Sequence, residues 1–124
     1  STGQKCWMNY IIEADFYLRT HNINKLITVY DEMINQYPDN KWGYLRLADI
    51  IIHDLPQKAI SLLNKAAELS PSFYGTWYLI ALIYFETGRI SDADKNIRKA
   101  IKLNPFDPEI TTLSKKIIKS KKQL

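Results

Sequence analysis

Three side chains in this 124-residue chain have reactive chemistry to offer: His21, His53 and the single cysteine Cys6. An imidazole titrates near neutral pH and serves as a general base or a metal ligand, and a thiol is a nucleophile once ionised. Both uses need partners in a set pattern. Neither histidine has a cysteine or a paired carboxylate at metal-site spacing, and Cys6 has no histidine close by in the chain. The His53-Asp54 pair is what a turn favours without any chemistry. The four glycines, Gly3, Gly43, Gly75 and Gly88, are scattered, so no phosphate-cradling loop exists. The pattern predicts no enzyme, no bound metal and no cofactor, and a lone cysteine cannot form an internal disulfide.

The cations are the next candidates. From Thr87 to Leu124 there are ten Lys or Arg against four Asp or Glu, whereas from Ser1 to Glu86 there are seven against nine, so the overall charge of +4 comes from the last third. Lys95, Arg98, Lys99 and Lys102 fall on the solvent side of one helical segment, and Lys115, Lys116 and Lys119, followed by Lys121 and Lys122, extend the positive field. Such a patch attracts nucleic acid, acidic lipid or an acidic protein through nonspecific electrostatics. Lysine near a helix C-terminus is also what the helix dipole favours. Direct nucleic-acid binding therefore ranks below an acidic protein partner. A steep loss of binding between low and moderate salt would mark the electrostatic class, and a groove contact should change little.

These residues need elements to hold them, and the spacing of apolar residues predicts helices throughout. Trp7, Tyr10, Ile11, Ala14, Tyr17 and Leu18 recur every three or four residues, as do Leu26, Tyr30, Met33 and Ile34 after a His21-Asn22 turn in which Asn tolerates unusual backbone angles. Tyr44, Leu47, Ala48 and Ile51 form a third helix, and Ala59, Leu63 and Ala66 a fourth that starts at Pro56, where a missing N–H costs nothing. Trp77 to Phe85 leads through Gly88 into Ala93, Ile97, Ala100 and Ile101, a helical hairpin with small residues where the second helix approaches. A last amphipathic helix carries Ile110, Leu113 and Ile117, and Ser120 to Leu124 is expected to fray. Pro38, Pro71 and Pro105 stand 33 and 34 residues apart, and Ala14, Ala48 and Ala81 keep a similar period. The fold class is all-α, in one domain. No run of 18 uncharged apolar residues occurs, so no transmembrane helix is expected. Ser1 to Lys5 lack an initiator methionine and a signal-peptide pattern; this start, with Trp7 close behind, predicts an upstream flank. A soluble domain, in the cytoplasm, is the expected setting, with any targeting of the parent protein out of view.

The stretch Trp77 to Pro105 resembles the tetratricopeptide repeat, a 34-residue unit with Trp-x2-Leu-Gly-x2-Tyr in its first helix and Ala-x3-Phe, Ala and Pro in and after its second. Trp77, Ile80, Ala81 and Tyr84 stand on the first-helix positions, Gly88 on the turn, and Ala93, Ile97, Ala100 and Pro105 on the rest; Ile80, Ala81 and Ile97 are conservative departures. In the first unit Tyr10, Glu13, Ala14 and Tyr17 take the corresponding positions, Glu13 being the departure that matters, because an unpaired buried carboxylate is costly. The resemblance implies repeats at about 7–39, 40–72 and 73–106 and a capping helix at about 108–121. Together they make a right-handed superhelix, an α-solenoid, of about seven helices.

The resemblance also implies a concave face drawn from the first helix of each unit. Here it would offer Ile11, Asp15 and Leu18, then Trp42, Leu45, Arg46, Asp49 and Ile52, then Tyr78, Leu82, Phe85 and Glu86. So apolar and aromatic a lining predicts a groove for a hydrophobic peptide or helix of a partner protein, with Arg46, Asp15 and Asp49 fixing its direction. The alternative reading has the same surface buried against a flanking domain or a second copy of the chain. Some members of the family hold the carboxylate terminus of chaperone tails with Lys, Asn and Arg; Ile11 and Asp15, Gly75 and Leu79 stand at the matching positions here, leaving Arg46 alone with suitable chemistry.

Overall fold

In the computed structural model, which describes residues 4–123, seven α-helices follow one another with no strand among the described residues. They are α1 (Trp7–Arg19), α2 (Ile23–Gln36), α3 (Lys41–Ile51), α4 (Pro56–Leu69), α5 (Tyr74–Glu86), α6 (Ile90–Leu103) and α7 (Pro108–Lys122). Each helix packs chiefly on its neighbours in sequence, with α7 also reaching α5. Three hairpins, α1–α2, α3–α4 and α5–α6, thus stand in a row and α7 closes the end. The physical cause is local: an isolated hairpin has an apolar side it cannot bury, and stacking completes it.

The helix starts are written in the sequence. Asn22 accepts from the amide of Lys25 at 3.3 Å, Asn40 from that of Trp42 at 2.9 Å, and Asp107 from those of Glu109 and Ile110 at 2.9 and 3.1 Å. Each side chain satisfies a donor that the first turn leaves without a helical partner. Pro56 and Pro108 sit in the first turns of α4 and α7. At the first turn it is His21, not Asn22, that takes a left-handed backbone (φ 56°), because the Asn22 side chain is committed to capping α2. Gly88 has the matching conformation in the third hairpin (φ 82°), where the absent Cβ makes it inexpensive.

One core of buried residues runs from Tyr10 on α1 to Ile83 on α5, and a second, around Ala81, Ala93, Ile97 and Ala100, is completed by Ile110, Leu113 and Ile117 of α7. Glu13 stays out of both. Its carboxylate is partly exposed and paired with Lys5, whose carbonyl accepts from the Tyr37 hydroxyl at 2.6 Å and whose ammonium lies over the Tyr10 ring. The departure at Glu13 is thereby absorbed at the edge of the first hairpin. At the other end α7 runs through Ser120 to Lys122, and Lys121 reaches Asp94 on α6 at 3.2 Å; Leu124 lies outside the described residues.

Ala93 and Ala100 have no exposed surface. Ala93→Leu is expected to overpack α6 and lower stability by about 1–3 kcal/mol. Thermal unfolding followed by circular dichroism checks this, and an unchanged midpoint would show that the helices are not in close approach there.

Candidate functional site

The first helices of the three hairpins, α1, α3 and α5, present one face, and two adjoining clefts lie on it. One, about 300 Å³ in volume, is bounded by α3, α5 and the start of α7. Trp42, Leu45, Arg46 and Asp49 line it from α3, Phe73 to Gly75 with Tyr78 and Leu79 from the entry and body of α5, and Asp107 and Glu109 from α7. A neighbouring cleft of about 310 Å³ is lined by Ile11, Ile12, Asp15 and Leu18 of α1, Tyr30 of α2 and Arg46 again. Arg46 therefore borders both. Of the predicted groove, Trp42, Leu45, Arg46, Asp49 and Tyr78 come together in the first cleft, and Ile11, Asp15 and Leu18 in the second.

The aromatic walls are braced against one another. Trp42 meets Phe73 edge to face with centroids 5.4 Å apart, and Phe73 lies 5.3 Å from Tyr74. Cations sit on the indole as well, Lys41 at 4.9 Å and the Arg46 guanidinium at 5.6 Å from the ring centre. Leu45 is only 5% exposed and forms floor rather than wall.

One phenol in each cleft, Tyr78 in the first and Tyr30 in the second, is pushed upward in pKa. Burial first, and then the nearby Glu109 carboxylate, push Tyr78 above the usual tyrosine range, with smaller upward pushes from Asp107 and Asp49. Tyr30 is also raised, chiefly by burial; Arg46 opposes the shift and Asp49 and Asp15 add to it. Asp15 in turn pairs with Arg19 one turn along at 2.8 Å.

Four of the predicted residues stand elsewhere. Ile52 is not open on the face: it follows α3 with helical backbone angles and lies in the core at 4% exposure. Leu82 is half-buried against both cores, and Phe85 against the core that α7 completes. Glu86 is exposed and accepts from or pairs with His53 Nδ1 at 3.1 Å, a link between the second and third hairpins. That contact gives His53 a structural partner, and among the described residues no group of three or more His, Cys, Asp or Glu is placed to hold a metal ion.

The seven basic residues predicted as a patch, Lys95, Arg98, Lys99, Lys102, Lys115, Lys116 and Lys119, are all exposed on α6 and α7. Two are engaged in the fold: Arg98 Nε lies 3.0 Å from Asp94, and the Lys99 ammonium sits 4.4 Å from the Trp77 ring centre. Among the described residues no helix is long and apolar enough to cross a membrane.

The sequence profile of the tetratricopeptide repeat matches residues 53–117, a little over half of the chain. The chain belongs to the tetratricopeptide repeat family. It is 28% identical over 97 residues to the TPR repeat-containing protein MJ1428 of Methanocaldococcus jannaschii, an alignment that covers 77% of this chain and 17% of that protein. Among solved structures it is similar to the Sgt2 TPR domain of Aspergillus fumigatus, with a TM-score of 0.85 at 14% identity, over 94% of this chain and 80% of that one. It is similar also to the first TPR of Spaghetti (RPAP3) bound to HSP90 peptide SRMEEVD, with a TM-score of 0.83 at 19% identity, over 92% and 91% of the two chains. At such identities the likeness is one of fold, the repeat solenoid.

Phe73, Tyr74, Asp107 and Glu109 line the first cleft without having been predicted for it. The Asp-Pro-Glu run at 107–109 is legible as a helix start. What no sequence pattern states is that the end of α6 returns this start to the side of α3.

Proposed function

We propose that this domain is a non-catalytic docking module whose concave face takes a peptide or helix of a partner protein. The observation that carries the reading is the union of the two clefts across Arg46, with rigid aromatic walls and a few charges between them. Braced aromatic side chains with half-open pockets are the common form of an energetic anchor. The tetratricopeptide domain of Spaghetti, which shares this fold, holds a peptide with acidic residues. Such a tail is not the segment proposed here, because Ile11, Asp15, Gly75 and Leu79 replace the polar and basic side chains that would clamp its carboxylate.

The test is affinity capture at moderate salt from an extract of the source organism, with the parent domain and folded Trp42→Ala and Tyr78→Ala variants side by side. A partner held by the parent and lost by both variants, then narrowed to one segment by truncation, is the expected result. Partners retained by both variants would move attention to the basic face of α6 and α7.

A second reading rests on a stripe that shares only Ile12 with the two clefts. Met8, Ile12 and Phe16 step along α1 at four-residue intervals and are exposed, a stripe turned away from the core. It supports packing of α1 against another helix, from a second copy or a larger protein. Phe16→Glu is expected to abolish any concentration-dependent mass seen in sedimentation; a mass independent of concentration in the parent removes the second copy.

A further inference from the structure

The cleft between α3, α5 and α7 holds negative charge that the fold leaves uncompensated. Asp49, Asp107 and Glu109 line it, and among the described residues none of the three has a Lys, Arg or His nitrogen within 4.0 Å. Two cations adjoin the cleft, and both lie on its rings: Arg46 over Trp42, and Lys41 against Trp42 and Phe73. The dipole at the start of α7 offsets part of the charge, through the Glu109 and Ile110 amides that Asp107 accepts. Those two bonds take acceptor positions on Asp107 alone. A carboxylate has about four such positions, so each keeps capacity for a further donor.

The walls suit the same visitor. Trp42 already carries cations, and Phe73 has the Lys41 ammonium 5.3 Å from its centre, so these faces accept positive charge as well as apolar stems. Lysine and arginine lay their methylenes along apolar surface while the charged head finds polar partners. A glutamate or a free carboxylate brought to the same place would meet three like charges, a juxtaposition that disfavours binding strongly.

We propose that the segment docking in this cleft presents a lysine or arginine among apolar residues, its stem against Trp42 and Phe73 and its cationic head between Asp49, Asp107 and Glu109. This rests on the docking function proposed above and adds the sign of the charge that is selected. It is opposite to that of the peptide held by the Spaghetti domain.

Three dye-labelled pools of short peptides test it, sharing one mixture of aliphatic and aromatic residues and differing only at central positions: lysine and arginine, glutamine, or glutamate. Fluorescence anisotropy is read with the parent domain, Asp49→Asn/Glu109→Gln, Asp49→Asn alone and Tyr78→Ala, each checked for helical content. The basic pool is expected to bind the parent about tenfold or more tighter than the glutamate pool, a difference of roughly 1.4 kcal/mol. The double variant should close that gap while keeping the glutamine pool's affinity, and Asp49→Asn, which touches no helix cap, should close part of it. Equal binding of the pools, or preference for glutamate, with Tyr78→Ala weakening both, overturns the charge inference and leaves the docking function standing. Binding of every pool unaffected by Tyr78→Ala, or absent altogether, overturns the docking function and the inference with it. A dimer in sedimentation that the double variant dissolves would make a second copy the occupant, and the inference would fall.

Discussion

Leu47→Ala is expected to lower the stability of the domain by about 2–5 kcal/mol. Leu47 lies on α3, the middle of the three cleft-lining helices, and has no exposed surface. Removing most of its side chain loses the transfer free energy and leaves a cavity that close-packed neighbours fill only in part. Position adds to the effect. A solenoid is stabilised by contacts between neighbouring repeats, so a defect in the central hairpin weakens its coupling on both sides. Against the stability of an ordinary domain, about 5–15 kcal/mol, such a loss is large. Urea unfolding of the variant should show an earlier midpoint, and a broadened transition would indicate that the hairpins on either side unfold separately. Phe106→Ala is the control: at 90% exposure Phe106 supports little, and a shift within about 0.5 kcal/mol is expected. Equal effects from the two substitutions would place the core away from α3.

Tyr78→Ala should weaken capture of the docking segment by about 2 kcal/mol or more, the range of an interface anchor. Tyr78 is half-buried between α3 and α7, and its ring forms wall in the cleft with its hydroxyl near the Glu109 carboxylate. Truncation removes the wall and the hydroxyl together. Tyr78→Phe separates the two contributions, because it keeps the ring and removes only the hydroxyl; a loss nearer 1 kcal/mol is expected from it. Titration calorimetry with the mapped segment gives both values. A Tyr78→Ala variant that binds as the parent does would take the cleft out of the docking function.

The two substitutions act on different levels of the same design. Leu47 and the alanines at 93 and 100 serve the stacking of hairpins, and they leave the outward side of α3 and α5 to be spent on other contacts. This division explains why the repeat wording reveals the scaffold and is silent on the ligand. It also accounts for the basic residues of α6 and α7. Arg98 and Lys99 have partners within the fold, at Asp94 and Trp77, so part of that positive field serves the last hairpin itself.

The all-helical fold, the hairpin turn at Gly88 and the small residues of α6 were legible in the sequence because each is a local property. Apolar spacing, capping side chains and near-regular prolines report on contacts between residues a few positions, or one repeat, apart. So is most of the α3 contribution to the candidate site, where Trp42, Leu45, Arg46 and Asp49 follow helical spacing. Ile52 was out of reach because its backbone keeps helical angles past Ile51, and its burial comes from neighbouring core residues that helical spacing does not name. The pairing of Glu13 with Lys5 needed the N-terminal segment to fold back over the first hairpin.

The acidic character of the cleft belongs wholly to the tertiary structure. Asp49 and Glu109 are 60 residues apart in the chain, and nothing in the spacing of either relates them. They share a cleft because α6 carries the chain back along α5 and delivers the start of α7 beside α3. The sequence by itself determined that hairpins would form and stack, since that follows from which residues must leave water. Which charges then face one another depended on where the stacked helices end, a sum of small turns and packing angles that no single stretch of sequence contains.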